Sequence, residues 1–234
     1  MPYFGGVLSA IALVPSAPVL VPRLAGGAAA ELTGVRAAVG AAATALPARW
    51  VAVGAGPSDS VITPPRVGTF AGYGVDVRVA LSADDGAAPE DLPLSALIAA
   101  WIRGEFVPGA AAEVRVYAED HDAAAAVSRG RELRALIDEA ADPIGVLVVA
   151  DGCHTLTPPA PGGYDPDSIP VQAALDDALA HGDAAALTRL PGSVVGRVAY
   201  QVLAGLADSQ TPAAEELYRG APFGVGYFAG LWRP

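Results

Sequence analysis

Asp151 and His154 stand three residues apart, directly after the apolar run Val146–Val149. An imidazole in that position can act as general acid or base, and a carboxylate nearby can orient it. The competing reading is a histidine whose ring nitrogens satisfy loop carbonyls, and the residues alone leave both open. The position is one where ligands bind. Four consecutive apolar residues read as a strand covered on both faces, and ligands in open α/β sheets bind beyond the carboxyl ends of such strands. Cys153 lies between the two, but neighbours in extended chain point to opposite sides, so it reads as an inert buried thiol.

Other polar clusters are weaker. The run Glu119-Asp120-His121-Asp122 holds metal-ligand residue types, yet no matching set follows at zinc-type spacing. Asp122 also suits the N-cap of the helical stretch after it, with the remaining carboxylates near the positive end of the helix dipole. His181 precedes Gly182 and reads as the end of a helix. Ser16 and Ser58 offer hydroxyls in turns. Neither Gly-x-Gly-x-x-Gly nor Gly-x-Ser-x-Gly occurs in a suitable place, so a dinucleotide fingerprint and a nucleophile elbow are both missing.

These residues must be held by a sheet. Strands are expected at Gly6–Val14, Trp50–Gly54, Val75–Leu81, Val114–Ala118 and Ile144–Ala150. The third alternates apolar and polar residues and suits a half-exposed position near an edge. Helices are expected at Ala28–Leu46, around Leu94–Ile102 after Pro93, and at Asp122–Ala140 with Leu133, Leu136 and Ile137 on one face. Ala55–Gly74 reads as a long loop, of a length usually either functional or disordered. Beyond Pro166 the pattern turns helical, at Ile169–Ala180, Ala184–Leu190, Val194–Leu206 and Ala213–Tyr218, with Val195, Val198, Val202 and Leu206 forming a core-facing stripe. An aromatic strand, Phe223–Trp232, closes the chain. The fold class is therefore α/β, with a mostly parallel central sheet flanked by helices and a helix-rich C-terminal third, in a single domain over 1–234.

Composition narrows the function. The 234 residues carry a net charge of −11, and all 14 basic residues are Arg. Without Lys there is no Schiff-base catalysis and no P-loop. Without an Arg stripe, nucleic acid is not an expected partner. The 27 Gly and 21 Pro make up about a fifth of the chain, against a usual share of roughly 12%, and mark shaped loops. A single Cys fits a reducing compartment. Pro2, Pro15, Pro18 and Pro22 break the apolar N-terminal stretch, and no basic segment precedes it, so neither a signal peptide nor a membrane span is expected. The expected location is cytoplasmic, with no membrane partner.

Four stretches carry a resemblance that spans nearly the whole chain: Ala12–Pro22, Val51–Pro57, Val146–Pro166 with its Asp-x-x-His, and Ala221–Trp232. In order and spacing they resemble the class III extradiol ring-cleavage dioxygenases of the LigB-like type and their Memo-like relatives. The resemblance implies an α/β fold and a non-haem Fe(II) held by two histidines and a glutamate, with a further histidine moving protons. It places His154 at the acid/base position. It also implies one iron-ligand histidine in the turn that here reads Pro15-Ser16-Ala17-Pro18, and a second in the turn that here reads Gly56-Pro57-Ser58-Asp59. Both imidazoles are absent; Glu215 and Glu216 lie in the region of the glutamate.

The expectation is therefore an extradiol-dioxygenase-like protein without ring cleavage, a pseudoenzyme with no metal ligands and no cofactor, whose cleft binds a small molecule or a partner. His154 and Asp151 are its expected catalytic remnant, and Ser16, Ser58, Asp59 and Tyr164 its expected ligand-binding residues. The alternatives are metal-independent hydrolysis or proton transfer by His154 and Asp151, and a metal-dependent dioxygenase with atypical ligands. A homo-oligomer is compatible with the aromatic C-terminal segment, which suits either a core or an interface.

Overall fold

Apolar residues on both faces of successive strands require helices on both sides of a sheet, and a computed structural model, which describes residues 8–207 and 212–234, has that arrangement. Its strands are β1 (Leu8–Val14), β2 (Arg49–Gly56), β3 (Ser60–Ile62), β4 (Val67–Thr69), β5 (Arg78–Ala80), β6 (Ala111–Ala118), β7 (Ile144–Val149), β8 (Ala213–Gly220) and β9 (Tyr227–Arg233). Its helices are α1 (Pro22–Ala25), α2 (Thr33–Thr44), α3 (Leu94–Phe106), α4 (Ala123–Asp138), α5 (Ser168–His181), α6 (Ala184–Leu187) and α7 (Arg197–Ala207). Seven strands make one sheet in the order β3-β6-β2-β7-β1-β9-β8, and β4 pairs with β5 in a separate ribbon. The pairings among β6, β2, β7 and β1 are parallel, while β3, β9 and β8 join antiparallel.

Each central strand feeds two cores. In β7, Leu147 and Val149 face the side covered by α2 and α3, and Ile144, Val146 and Val148 face the side covered by α4, α5 and α7. Two glycines let α4 and α7 pack backbone to backbone. A Cβ at Gly130 would lie 2.0 Å from the Val202 carbonyl oxygen, and one at Gly205 would lie 2.0 Å from that of Val127.

The expected strands and helices of the first 150 residues are present, although the expected start of the first strand at Gly6 and Val7 lies outside the described residues. Four local expectations need correction. Ala213–Tyr218 is not helical; it is most of β8, an edge strand paired with β9. The helical reading followed from Ala and Glu propensities, which pairing with a neighbouring strand overrides. The stretch expected as a plain loop between Ala55 and Gly74 contains β3, β4 and a 3-10 turn at Phe70–Tyr73. Val75–Leu81 contributes only the short β5, outside the main sheet. Leu136 and Val195 are about half exposed, because Val195 precedes α7 and Leu136 lies off the buried Leu133–Ile137 line of α4.

The closing aromatic segment belongs to the core. β9 is an interior strand between β1 and β8, and Tyr227, Phe228, Leu231 and Trp232 are buried, with the Trp232 indole N–H donating to the Leu179 carbonyl at 2.7 Å. Among the described residues, no helix is long and apolar enough to cross a membrane.

Candidate functional site

The parallel strands all end at one edge of the sheet, and the turns leaving β1 and β7 meet there. The backbone N–H of Ser16 donates to Asp151 Oδ1 at 2.8 Å. Register explains the meeting: β1 and β7 pair in parallel through Val14 and Val149, so their carboxyl ends emerge side by side. The start of β9 closes the corner from the other flank. There the Gly152 N–H donates to the Gly226 carbonyl, and the Gly226 N–H donates to the Cys153 carbonyl, each at 2.8 Å.

Behind the corner, Gln172 of α5 braces both segments. Its Oε1 accepts from the Cys153 N–H, and its Nε2 donates to Asp176 Oδ1, each at 2.8 Å. A Cβ at Gly152 or Gly226 would meet the Gln172 amide at 2.1 and 2.2 Å, so a side chain at either position would displace the brace.

The Asp151 carboxylate is partly buried, and among the described residues it accepts one hydrogen bond, from the Ser16 N–H. Burial raises its pKa from 3.8 to about 7, and the Ser16 amide only partly offsets this. Tyr227 and Tyr200 lie close enough to feel that carboxylate. Burial first, and Asp151 next, raise both phenols above their ordinary range. Tyr200 donates its hydroxyl to the Ala150 carbonyl at 3.0 Å. Tyr227 was not among the residues singled out by the sequence. It sits in an aromatic, Gly-rich segment that reads as core, and only the β9–β1 pairing places it beside Asp151.

His154 is not hydrogen-bonded to Asp151. Its Nδ1 is buried without a hydrogen-bond partner, and the opposite edge of its ring lies over Gly162, where a Cβ would come 2.5 Å from Cδ2 and 2.6 Å from Nε2. The loop holds this arrangement through its own backbone, with the Gly162 N–H donating to the His154 carbonyl at 3.1 Å and the Asp165 N–H to the Thr155 carbonyl at 3.0 Å. Cys153 is fully buried and its thiol is pushed up chiefly by that burial, in line with an inert structural role.

The remaining candidates diverge. Ser58 is exposed. Asp59 turns toward β6 and α4, where it accepts from the Ala118 N–H at 2.8 Å, lies 2.8 Å from His121 Nε2 and pairs with Arg129 at 3.3 Å. Burial pushes this carboxylate up, but those partners outweigh it and hold it below its usual range. Tyr164 is about half exposed. Asp122 caps α4 by accepting from the Ala125 N–H at 2.8 Å, and Gly182 ends α5 at φ 69°. Glu215 and Glu216 lie on β8 in ion pairs with Arg233 and Arg219.

The donor set at the corner does not fit the iron that the resemblance implies. It offers one partly buried carboxylate and one hydroxyl residue, with the single imidazole of the loop lying against Gly162, where Fe(II) takes two imidazoles and a carboxylate on one face. Among the described residues, no three His, Cys, Asp or Glu side chains are grouped to hold a metal ion.

The architecture is shared with a solved structure. The chain is similar to the uncharacterized protein JW3007 from Escherichia coli K12. The TM-score is 0.60 at 13% sequence identity, over 95% of this chain and 99% of that one. At that identity the likeness is one of fold. No family model matches the chain, and no curated protein matches it in sequence.

Proposed function

We propose that this chain is an extradiol-dioxygenase-like scaffold that binds a small molecule at the Ser16–Asp151 corner and does not cleave rings. The observation that carries the reading is the Ser16 N–H donating to Asp151. It joins the first-strand turn, where the resemblance expects an iron-ligand histidine, to the Asp-x-x-His loop that bears the retained acid/base position. Asp59, the other carboxylate near an expected ligand turn, is committed to Ala118, His121 and Arg129, which weighs against a metal site with atypical ligands.

A second reading has its own support. A carboxyl group with a pKa of about 7 exchanges its proton near neutrality, and the His154 Nδ1 has no partner within the chain. Both are properties of metal-independent proton transfer.

Catechol, titrated calorimetrically into the full chain, tests the first reading. Saturable binding that is lost in Ser16→Trp, with no oxygen uptake after loading with Fe(II), is the expected result. Oxygen consumption with catechol in the Fe(II)-loaded protein would overturn it. The second reading requires turnover that is insensitive to chelators and lost in Asp151→Asn; a hydrolase and isomerase screen in which wild type and Asp151→Asn are equally inert removes it.

A further inference from the structure

A cavity of about 420 Å³ opens between α1, the β4–β5 ribbon and the C-terminal end of α3. Ser16, Asp151 and His154 do not line it, so it is separate from the corner described above. Its lining is divided. Val67, Val77, Val79 and Trp101 supply an apolar wall, and Arg23, Arg78 and Arg103 supply cationic groups.

The three arginines of the lining are distinct from those tied up in ion pairs. Arg66, Arg115, Arg129, Arg134, Arg219 and Arg233 each pair with a carboxylate. Arg23, Arg78 and Arg103 have no such ion pair among the described residues and donate to backbone carbonyls instead. Arg23 Nη1 reaches the Asp76 carbonyl at 3.2 Å, and Arg78 Nη2 reaches those of Asp85 and Ala87 at 3.0 and 2.9 Å.

Arg103 is only 6% exposed. Its Nε donates to the Ala80 carbonyl at 2.7 Å, and its Nη1 to those of Pro108 and Ala110 at 2.7 and 3.3 Å; Nη2 takes part in none of these bonds. A guanidinium so enclosed is fixed in place, yet its charge is met only by carbonyl dipoles and by the more distant Asp85. Asp85 and Glu105 also line the cavity, so the formal charge of the lining is one positive unit. That balance suits a monoanion better than a phosphate dianion.

We propose that this cavity binds a small amphipathic carboxylate. Its carboxylate meets the arginine side, where planar bidentate pairing is available, and its apolar body lies against the valines and Trp101. The volume is in the range of small-ligand pockets, which are mostly apolar with a few convergent polar groups.

Phenylbutyrate is the probe, with phenylbutanol as its uncharged counterpart and inorganic phosphate as the dianion, each titrated into the full chain by calorimetry. Phenylbutyrate is expected to saturate one site, at least about tenfold more tightly than either comparator. Arg23→Gln and Arg78→Gln are each expected to weaken it by about tenfold. Gly104→Phe provides the steric test, because no atom lies within 4 Å of a Cβ at this cavity-lining position; it should fold, as judged by circular dichroism, and abolish binding. If Gly104→Phe does not fold, Gly104→Leu takes its place. The proposal is overturned by absence of saturation at millimolar phenylbutyrate, by equal binding of phenylbutanol, or by binding that persists in the folded plugged variant.

Discussion

Asp151→Asn should change how stability depends on pH in a direction opposite to that of an ordinary ion-paired carboxylate. Burial raises the Asp151 pKa from 3.8 to about 7. Between those values the folded chain holds a proton on Asp151 that the unfolded chain has released, so the contribution of this group to stability is greatest below about pH 4 and falls until about pH 7. The gap corresponds to a ceiling of about 4 kcal/mol at 1.36 kcal/mol per pH unit, a large part of the usual 5 to 15 kcal/mol of a folded domain. Asparagine keeps an oxygen for the Ser16 N–H and carries no charge. Its amide nitrogen adds a desolvation cost of about 1–3 kcal/mol, which does not vary with pH. Asp176, raised by burial to about 6, adds a slope of the same sign, but it is common to both proteins and cancels in the difference. Urea unfolding of wild type and Asp151→Asn from pH 4 to pH 8 measures the effect. The variant should gain on wild type by up to about 4 kcal/mol across that range. A difference that stays constant with pH, or one that moves in favour of wild type, would refute the reasoning.

Three further outcomes follow from particular contacts. Gly162→Ala should displace the His154 ring, because its Cβ would lie 2.5 Å from Cδ2; the His154 ring resonances should shift while global stability changes by less than about 2 kcal/mol, and unchanged resonances would count against the packing described. Gly205→Ala should destabilise the chain by about 3 kcal/mol or more, since the new methyl group meets the Val127 carbonyl of α4 in a backbone contact that cannot yield; equilibrium denaturation checks this. Cys153, fully buried and with its thiol pushed up, should react with iodoacetamide slowly in the native state and rapidly in denaturant, as followed by mass spectrometry.

Much of the fold was legible because its signals are local. The runs Leu8–Val14, Val51–Val53 and Ile144–Val149 are largely apolar, and of the helices between them α3 and α4 carry Leu and Ile at helical spacing, so a doubly covered parallel sheet followed from periodicity. Asp122 and Gly182 were readable as helix boundaries for the same reason. Ala213–Gly220 was not, because an Ala-Glu stretch favours a helix in isolation and becomes a strand only by bonding to β9.

The sequence by itself determined the chemistry on offer: one Asp-x-x-His after a buried strand, no lysine, and turns at Ser16 and Ser58 lacking histidine. Only the tertiary structure decided which of those groups meet. The parallel β1–β7 register brings the Ser16 amide onto Asp151, and the antiparallel entry of β9 adds Tyr227 beside it, a residue distant in sequence. The same folding carries Asp59 away to His121 and Arg129, and leaves the imidazole of His154 against Gly162 rather than against Asp151. Residue identity sets proton affinity and ligand type. Proximity, and with it the burial that raises Asp151 toward neutrality, comes from strand register and loop packing between residues far apart in the chain.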